Sequence, residues 1–193
     1  MVFSSGWASG VNAYAVVLLM GLMGRFTGID TVPDVLTRTD VLVVAALMYG
    51  VEFVTDKIPY LDSAWDAIST AIRPTVGAVL GLLLAGDATS VEQAVYASVG
   101  GGAALASHVV KAGLRLAVNS SPEPVTNVTV SLAEDFSVAG VVLFALYYPW
   151  VALGISLLLL VAGAVLVVVL MQLVRRGMAR RRERRAAYPG KIT

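Results

Sequence analysis

The sequence predicts an all-α polytopic membrane protein with about six transmembrane helices. Of its 193 residues, 58% are hydrophobic and 14% are charged, whereas soluble domains carry about 25% charged residues. A soluble domain of this length buries only about 70% of the surface of its unfolded chain, so it could not hide this much apolar surface. Insertion into lipid removes the difficulty, because the bilayer interior is itself apolar.

Six apolar segments come close to the roughly 20 residues that a membrane-spanning helix needs. The first two reach that length only with their flanking residues, and we expect Pro74 to kink the third. Residues 136–174 are too long for one crossing, and Pro149 marks the turn that divides them. The predicted spans are residues 11–26, 41–54, 64–85, 91–118, 128–147 and 150–173.

Gly100 to Gly102 lie in the middle of the fourth predicted span. Glycines inside a membrane helix most often permit close packing of a neighbouring helix. The alternative is a break in the helix that exposes backbone groups to a substrate. We expect packing for most glycines of the chain, and these three are the best candidates for a break.

Weak internal similarity raises the alternative of a 3+3 inverted repeat, which many transporters have. Residues 10–25 can be aligned with residues 100–115, and Glu52 would then correspond to Glu134. The spacing between matched segments drifts along the chain, so the repeat is a hypothesis.

Basic residues near helix ends predict the orientation, because lysine and arginine mark the cytoplasmic side. Seven arginines fall between Arg175 and Arg185. We therefore predict a transmembrane domain at residues 1–174 and a cytoplasmic arginine-rich tail at residues 175–193. Six crossings in the inner (plasma) membrane would make both termini cytoplasmic. The tail suits anionic lipid headgroups, and we expect no nucleic-acid partner.

Charged residues inside the predicted spans are the candidate functional residues, because each charge in hydrocarbon is costly. Spacings of three, four and seven residues place acids on one face of the second and third spans and bases on one face of the fourth. Such faces can form a paired network or line a polar cavity. The candidates are Glu52, Asp56, Lys57, Asp62, Asp66, Arg73, His108, Lys111, Arg115, Glu134 and Asp135.

Several candidates also have a structural explanation. Lys57 and Asp62 suit solvated helix ends, and Arg73 could extend its head group to the membrane interface. Glu52 lies too deep among apolar neighbours for this explanation. His108, the single histidine, fits a hydrogen-bonded packing residue as well as it fits a functional group.

The charged stretches resemble those of an uncharacterised bacterial family of small integral membrane proteins, a domain of unknown function, over residues 6–140. A weaker similarity links the first stretch to the E-x-G-D-[KR] motifs of cation/proton exchangers, although this chain has one more residue there and no glycine. The stretches are Glu52-x-x-x-Asp56-Lys57-x-Pro59, Arg73-Pro74-x-x-Gly77-Ala78 and His108-x-x-Lys111-x-x-x-Arg115.

Three functions remain open at this point. The first is a transporter or channel for a small ion or polar solute, with proton coupling as one option and Glu52, Asp56 and Glu134 as its carboxylates. The second is a flippase or membrane enzyme that binds lipid phosphate through the basic face. The third is a structural or accessory subunit, and a homo-oligomer is compatible with all three.

Enzyme activity is the less expected alternative, because the sequence has no nucleophile elbow, Walker loop or metalloprotease motif. We expect no cofactor. The sequence has no cysteine and one histidine, so it does not identify a metal site.

Overall fold

A computed structural model describes residues 1–120 and 124–187, with side chains described for residues 1–120 and 125–176. All of its regular elements are α-helices, which agrees with the predicted class. They are α1 (Val2–Val11), α2 (Ala13–Thr27), α3 (Asp34–Thr37), α4 (Thr39–Thr55), α5 (Leu61–Ala85), α6 (Ser90–Asn119), α7 (Pro124–Tyr147) and α8 (Pro149–Ala187).

Three of these helices are long and apolar enough to cross a membrane, judged by length and composition. They are α5, α7 over residues Val125–Tyr147, and α8 over residues Pro149–Arg176. Many of their apolar side chains face outward, as is usual when lipid covers the surface of a bundle. These helices are compatible with a membrane protein.

The first two helices form a hairpin. Asn12 is the one residue between them and has an extended backbone, with φ −151° and ψ 98°. Its side-chain oxygen accepts the backbone N–H of Ala15 at 2.9 Å and so caps α2. Met1, before α1, lines a cavity together with Asp30 and Thr31, which follow α2. The second helix therefore returns to the end of the bundle from which the first one enters.

The hairpin enters the bundle but does not cross it. With 10 residues, α1 is roughly 15 Å long, about half the thickness of a bilayer core. It runs parallel to α6, because Gly6 lies against Gly100 and the carbonyl of Val11 accepts a hydrogen bond from Lys111 further along α6. Residues 10–12, called the hairpin tip below, therefore lie in the middle of the bundle.

The five helices α4 to α8 alternate in direction. Helices α5 and α6 are antiparallel, because Gly81 lies against the backbone of Tyr96 at one end while Asp62 bonds Asn119 at the other. Helix α8 runs parallel to α6, since Gly113 lies against Val167 in its second half. The chain thus passes five times along the bundle beside the hairpin.

The described termini lie at opposite ends of the bundle. Met1 and Leu153, near the start of α8, line the same cavity. The carboxyl half of α8 extends past Val118, beside Leu170, near the end of α6. We call the first end, with the 28–33 and 86–89 loops, the amino-terminal end and the second the tail end.

This arrangement differs from the prediction of six spans with both termini on one side. The segment predicted to cross at residues 11–26 is the returning arm of a hairpin, and α1 lies outside every predicted span except at its last residue. Asn12 is the physical cause of the hairpin turn, because it interrupts an apolar run and caps the returning helix. Residues 100–115 lie in the unbroken α6, so their alignment with residues 10–25 is not supported as a repeat.

Helix α8 continues past residue 174, where the predicted tail begins, and ends at Ala187. The tail arginines from Arg180 to Arg185 have side chains outside the described set. Residues 188–193, the end of the predicted tail, lie outside the described residues.

Glycines bring α1, α5 and α6 into backbone contact. A Cβ at Gly77 would lie 2.7 Å from the carbonyl oxygen of Gly100, and a Cβ at Gly6 would lie 2.9 Å from its Cα. Helix α6 continues through Gly100 to Gly102, so these residues do not break the helix, and Gly100 allows close packing. The contacts lie on the amino-terminal side of the hairpin tip, where they close the bundle.

The hairpin can be tested by cysteine labelling, because the chain has no native cysteine. Val2→Cys and Thr31→Cys should react with a membrane-impermeant maleimide from one side of the membrane, since both positions line one cavity. Ser120→Cys, exposed at the tail end, should react only from the other side. If Val2→Cys and Thr31→Cys are labelled from opposite sides, α1 and α2 do not form a hairpin.

The close contact at Gly77 predicts that two alanine substitutions in neighbouring helices have opposite effects on the stability of the protein. Gly77→Ala should destabilise the protein by about 1–3 kcal/mol, the usual cost of overpacking, because its Cβ would lie 2.6 Å from that of Ala104. Gly102→Ala meets nothing within 4 Å and should be neutral or stabilising through helix propensity. Thermal unfolding in detergent measures both, and equal effects would contradict the close contact.

Candidate functional site

Eight charged side chains form one buried network between the hairpin tip and the tail end. Each is within 4.0 Å of an opposite charge, and their side chains are between 0 and 12% exposed. We call this set the charge network. Its acids are Glu52, Asp56, Asp62, Asp66 and Glu134, and its bases are Arg73, Lys111 and Arg115.

Arg73 is the centre of the layer nearest the hairpin tip. It lies midway along α5, and its Nη2 donates to Oε1 of Glu52 at 2.6 Å. Its Nη1 lies 2.9 Å from Oδ1 of Asp66, two helical turns earlier. The same nitrogen is 3.5 Å from the carbonyl oxygen of Gly10 in the hairpin tip. One guanidinium therefore joins α4, α5 and the hairpin.

The contacts of His108 fix its protonation state. Nη1 of Arg73 lies 2.8 Å from its Nδ1, and a guanidinium can only donate, so Nδ1 must be an unprotonated acceptor. Nε2 then carries the proton and faces the hydroxyl of Thr70 at 3.0 Å. That hydroxyl in turn donates to the Asp66 carbonyl at 3.0 Å. His108 is therefore neutral and orients Arg73.

Lys111 links the hairpin tip to the second layer of the network. Its Nζ donates to Oδ2 of Asp56 at 2.6 Å and to the carbonyl oxygen of Val11 at 3.0 Å. Glu52 and Glu134 lie at 3.7 and 3.5 Å. The Val11 carbonyl belongs to the last turn of α1, where the helix dipole favours a cation.

Arg115 completes the second layer one helical turn further along α6. It pairs with Oε2 of Glu134 through Nη2, and its Nη1 lies 3.4 Å from Oδ2 of Asp62. The same Nη1 donates to the carbonyl oxygen of Asp56 at 2.7 Å and to Oδ1 of Asn127 at 3.1 Å. Arg115 thus joins α5, α6, α7 and the α4–α5 loop.

Asp62 has the most complete set of donors. Asn119 donates to its Oδ1 at 2.8 Å, and the backbone N–H of Ser63 donates to the same oxygen at 2.6 Å. Its Oδ2 faces Arg115. This carboxylate therefore fixes the start of α5 against the end of α6.

Lys57 and Asp135 form a separate, more exposed pair beside the charge network. Their charged atoms are 3.7 Å apart, and their side chains are 20 and 16% exposed. Lys57 lies in the α4–α5 loop, with its Nζ 3.0 Å from the centre of the Phe53 ring and 3.3 Å from the Ser131 hydroxyl. Burial of the ammonium lowers the pKa of Lys57, and the Asp135 carboxylate partly offsets that shift.

The structure brings the candidate residues from the sequence together, with Lys57 and Asp135 paired at the margin. Among the residues that the structure describes, no set of three histidine or acidic side chains could hold a metal ion. Sequence reasoning missed the hairpin-tip carbonyls of Gly10 and Val11 and the hydroxyl of Thr70. A glycine followed by a capping asparagine within an apolar run was the available signal for the tip.

The family model described as "Domain of unknown function (DUF4126)" matches residues 1–169. The chain belongs to this family. The DUF4126 match contains the hairpin and every member of the charge network, and it confirms the resemblance drawn from the sequence. Comparison with curated proteins and with solved structures finds no match.

In this DUF4126 protein, Lys111→Met should strongly destabilise the fold. Removing one partner of a buried ion pair typically costs about 3–5 kcal/mol, and here it leaves Asp56 near a single remaining cation, Arg115, at 3.6 Å. Adding Asp56→Asn should recover part of the loss, because it removes the unpaired charge. Denaturant unfolding in detergent measures both, and a double variant no more stable than Lys111→Met would contradict the pairing.

Proposed function

We propose that the protein is a membrane transporter or channel for a small ion or polar solute, with the charge network as its pathway. The observation that carries this proposal is the column of buried ion pairs from the hairpin tip to the tail end. Charges inside a membrane bundle are costly, so they usually mark an ion or substrate path. A purely structural role would not need so many charges on four separate segments of the chain.

Exposed charges at the margin of the network support entry there. Lys57 and Asp135 are 20 and 16% exposed and Glu134 is 12% exposed, whereas Glu52, Asp62 and Arg115 are 0% exposed. Beyond the tip, the close contacts around Gly77 and Gly100 fill the space between helices. This pattern is typical of a pathway open toward one side of the membrane and closed toward the other.

The hairpin supports the same proposal. Non-helical backbone at membrane depth is tolerated where protein buries it or where it lines a cavity. Interrupted helices supply backbone groups to the binding sites of many transporters. Here the interruption at Asn12 directs the carbonyls of Gly10 and Val11 toward Arg73 and Lys111. The hairpin tip therefore forms the inner end of the proposed pathway.

The orientation that fits the proposal has five crossings, α4 to α8, in a bacterial inner membrane. Arg175 and Arg176 at the tail end would be cytoplasmic by the positive-inside rule. Asp30, Asp34 and Asp87 at the amino-terminal end would face outward. The amino terminus is then outside and the tail inside, with membrane lipid around the bundle and a homo-oligomer compatible with it.

The geometry favours a cation or proton over lipid phosphate. Among the described side chains, each of Arg73, Lys111 and Arg115 already lies within 4.0 Å of at least two carboxylates. A phosphate group would have to compete with these internal anions for every base in the network. The lipid-phosphate hypothesis therefore has less support than transport of a cation or a neutral solute.

Liposome flux tests the proposal. Purified protein should carry H⁺, Na⁺ or K⁺ under an imposed potential, each followed with its own internal dye. Glu52→Gln should lower that flux to the level of protein-free liposomes, because it neutralises the acid beside the hairpin tip. Glu92→Gln is the control, since Glu92 is exposed at the amino-terminal end and glutamine also suits its capping box. Wild-type flux equal to that of empty liposomes would rule out transport of these ions.

A further inference from the structure

The charge network contains more acids than bases. It has five carboxylates and three cations, and the neutral state of His108 adds no charge. The imbalance occurs in each layer separately. In the first layer Glu52 and Asp66 share Arg73, and in the second layer three carboxylates share Lys111 and Arg115.

Such an imbalance cannot remain uncompensated inside a membrane bundle. Burying an ionised carboxylate without a counter-charge is prohibitive, so the group becomes neutral or binds a cation. The charged pair beside the network does not supply the missing charge, because Lys57 and Asp135 balance each other. The compensating positive charge must therefore come from a bound proton or ion.

Carboxylate oxygens without donors show where that charge is missing. Among the described residues, buried Oε2 of Glu52 and Oδ2 of Asp66 accept no hydrogen bond, and Oδ1 of Asp66 has only its ion pair with Arg73 at 2.9 Å. In the second layer Oδ1 of Asp56 and Oε1 of Glu134 also accept no hydrogen bond. Asp62, in contrast, has donors on both oxygens and fits the ionised form. The orphaned oxygens thus occur in both layers, as the imbalance does.

We infer that the charge network binds two protons, one in each layer. A proton fits better than a metal ion, because no group of three acidic or histidine side chains in the described part of the chain is arranged to hold a metal ion. In the first layer the proton is carried by Glu52 or Asp66, and in the second by Asp56 or Glu134, whose oxygens include ones without donors. If the proposed transport is correct, on which this step rests, the proton is the coupling ion.

The elements packed around the network add no further net charge to it within the described residues. Helix α8 contributes no charged or titratable side chain to it within the described residues, and α1 contributes backbone carbonyls only. The surrounding titratable groups are Tyr14 on α2, Tyr49 on α4, Lys57 in the α4–α5 loop, His108 on α6 and Asp135 on α7.

Infrared spectroscopy of the full chain in lipid at neutral pH tests the inference directly. The wild type should show the carbonyl band of protonated carboxyl groups, shifted by D₂O, with the intensity of about two groups per chain. Glu52→Gln should lower the band to about one group, because Asp66 then pairs with Arg73 in its ionised form. Asp56→Asn should do the same in the second layer, and the double variant should have no band.

The outcomes separate this inference from the proposed function. The Glu92→Gln variant changes a side chain that is exposed at the amino-terminal end. It should keep the full wild-type band. A wild type with no protonated carboxyl band overturns the inference even if liposomes show flux, and a band restored on removing Na⁺ would assign the charge to that ion. A band of the expected size without flux upholds proton binding and rejects transport. The wild-type spectrum alone decides the main point if a variant does not fold.

Discussion

The contact between Arg73 and its carboxylate partners is the interaction on which the rest of the structure depends. This guanidinium lies midway along α5, is 1% exposed, and pairs with Glu52 of α4 and Asp66 of its own helix. His108 of α6 orients it, and the hairpin tip lies against it. A charge at this depth is tolerated only with such partners, so the positions of α4, α6 and the hairpin are constrained together.

Close backbone packing and charge pairing perform complementary tasks in this bundle. Glycines on α1, α5 and α6 exclude water on one side of the hairpin tip, because a Cβ at their positions would collide with a neighbouring helix. Ion pairs occupy the other side, although burying apolar side chains there would cost less free energy. The bundle is thus closely packed on the amino-terminal side of the hairpin tip and polar on the tail side.

The sequence predicted the helical membrane class and which charged residues would meet. Residues spaced three or four apart in apolar helices had to face inward, so the acidic faces of two spans could be expected to meet the basic face of another. The hairpin was not predicted, because α1 is short and rich in small residues and its turn rests on Asn12 alone. The neutral state of His108 also required coordinates, since only the distance to Arg73 decides which ring nitrogen accepts.

The length of α8 has a consequence for the tail end of the bundle. Its 39 residues form a rod of roughly 58 Å, almost twice the thickness of a bilayer core. The part beyond Arg176, as far as Ala187, is therefore a helical continuation of the candidate membrane span. In the proposed orientation, a tilt or shift of α8 within the membrane would also displace its continuation in the headgroup region.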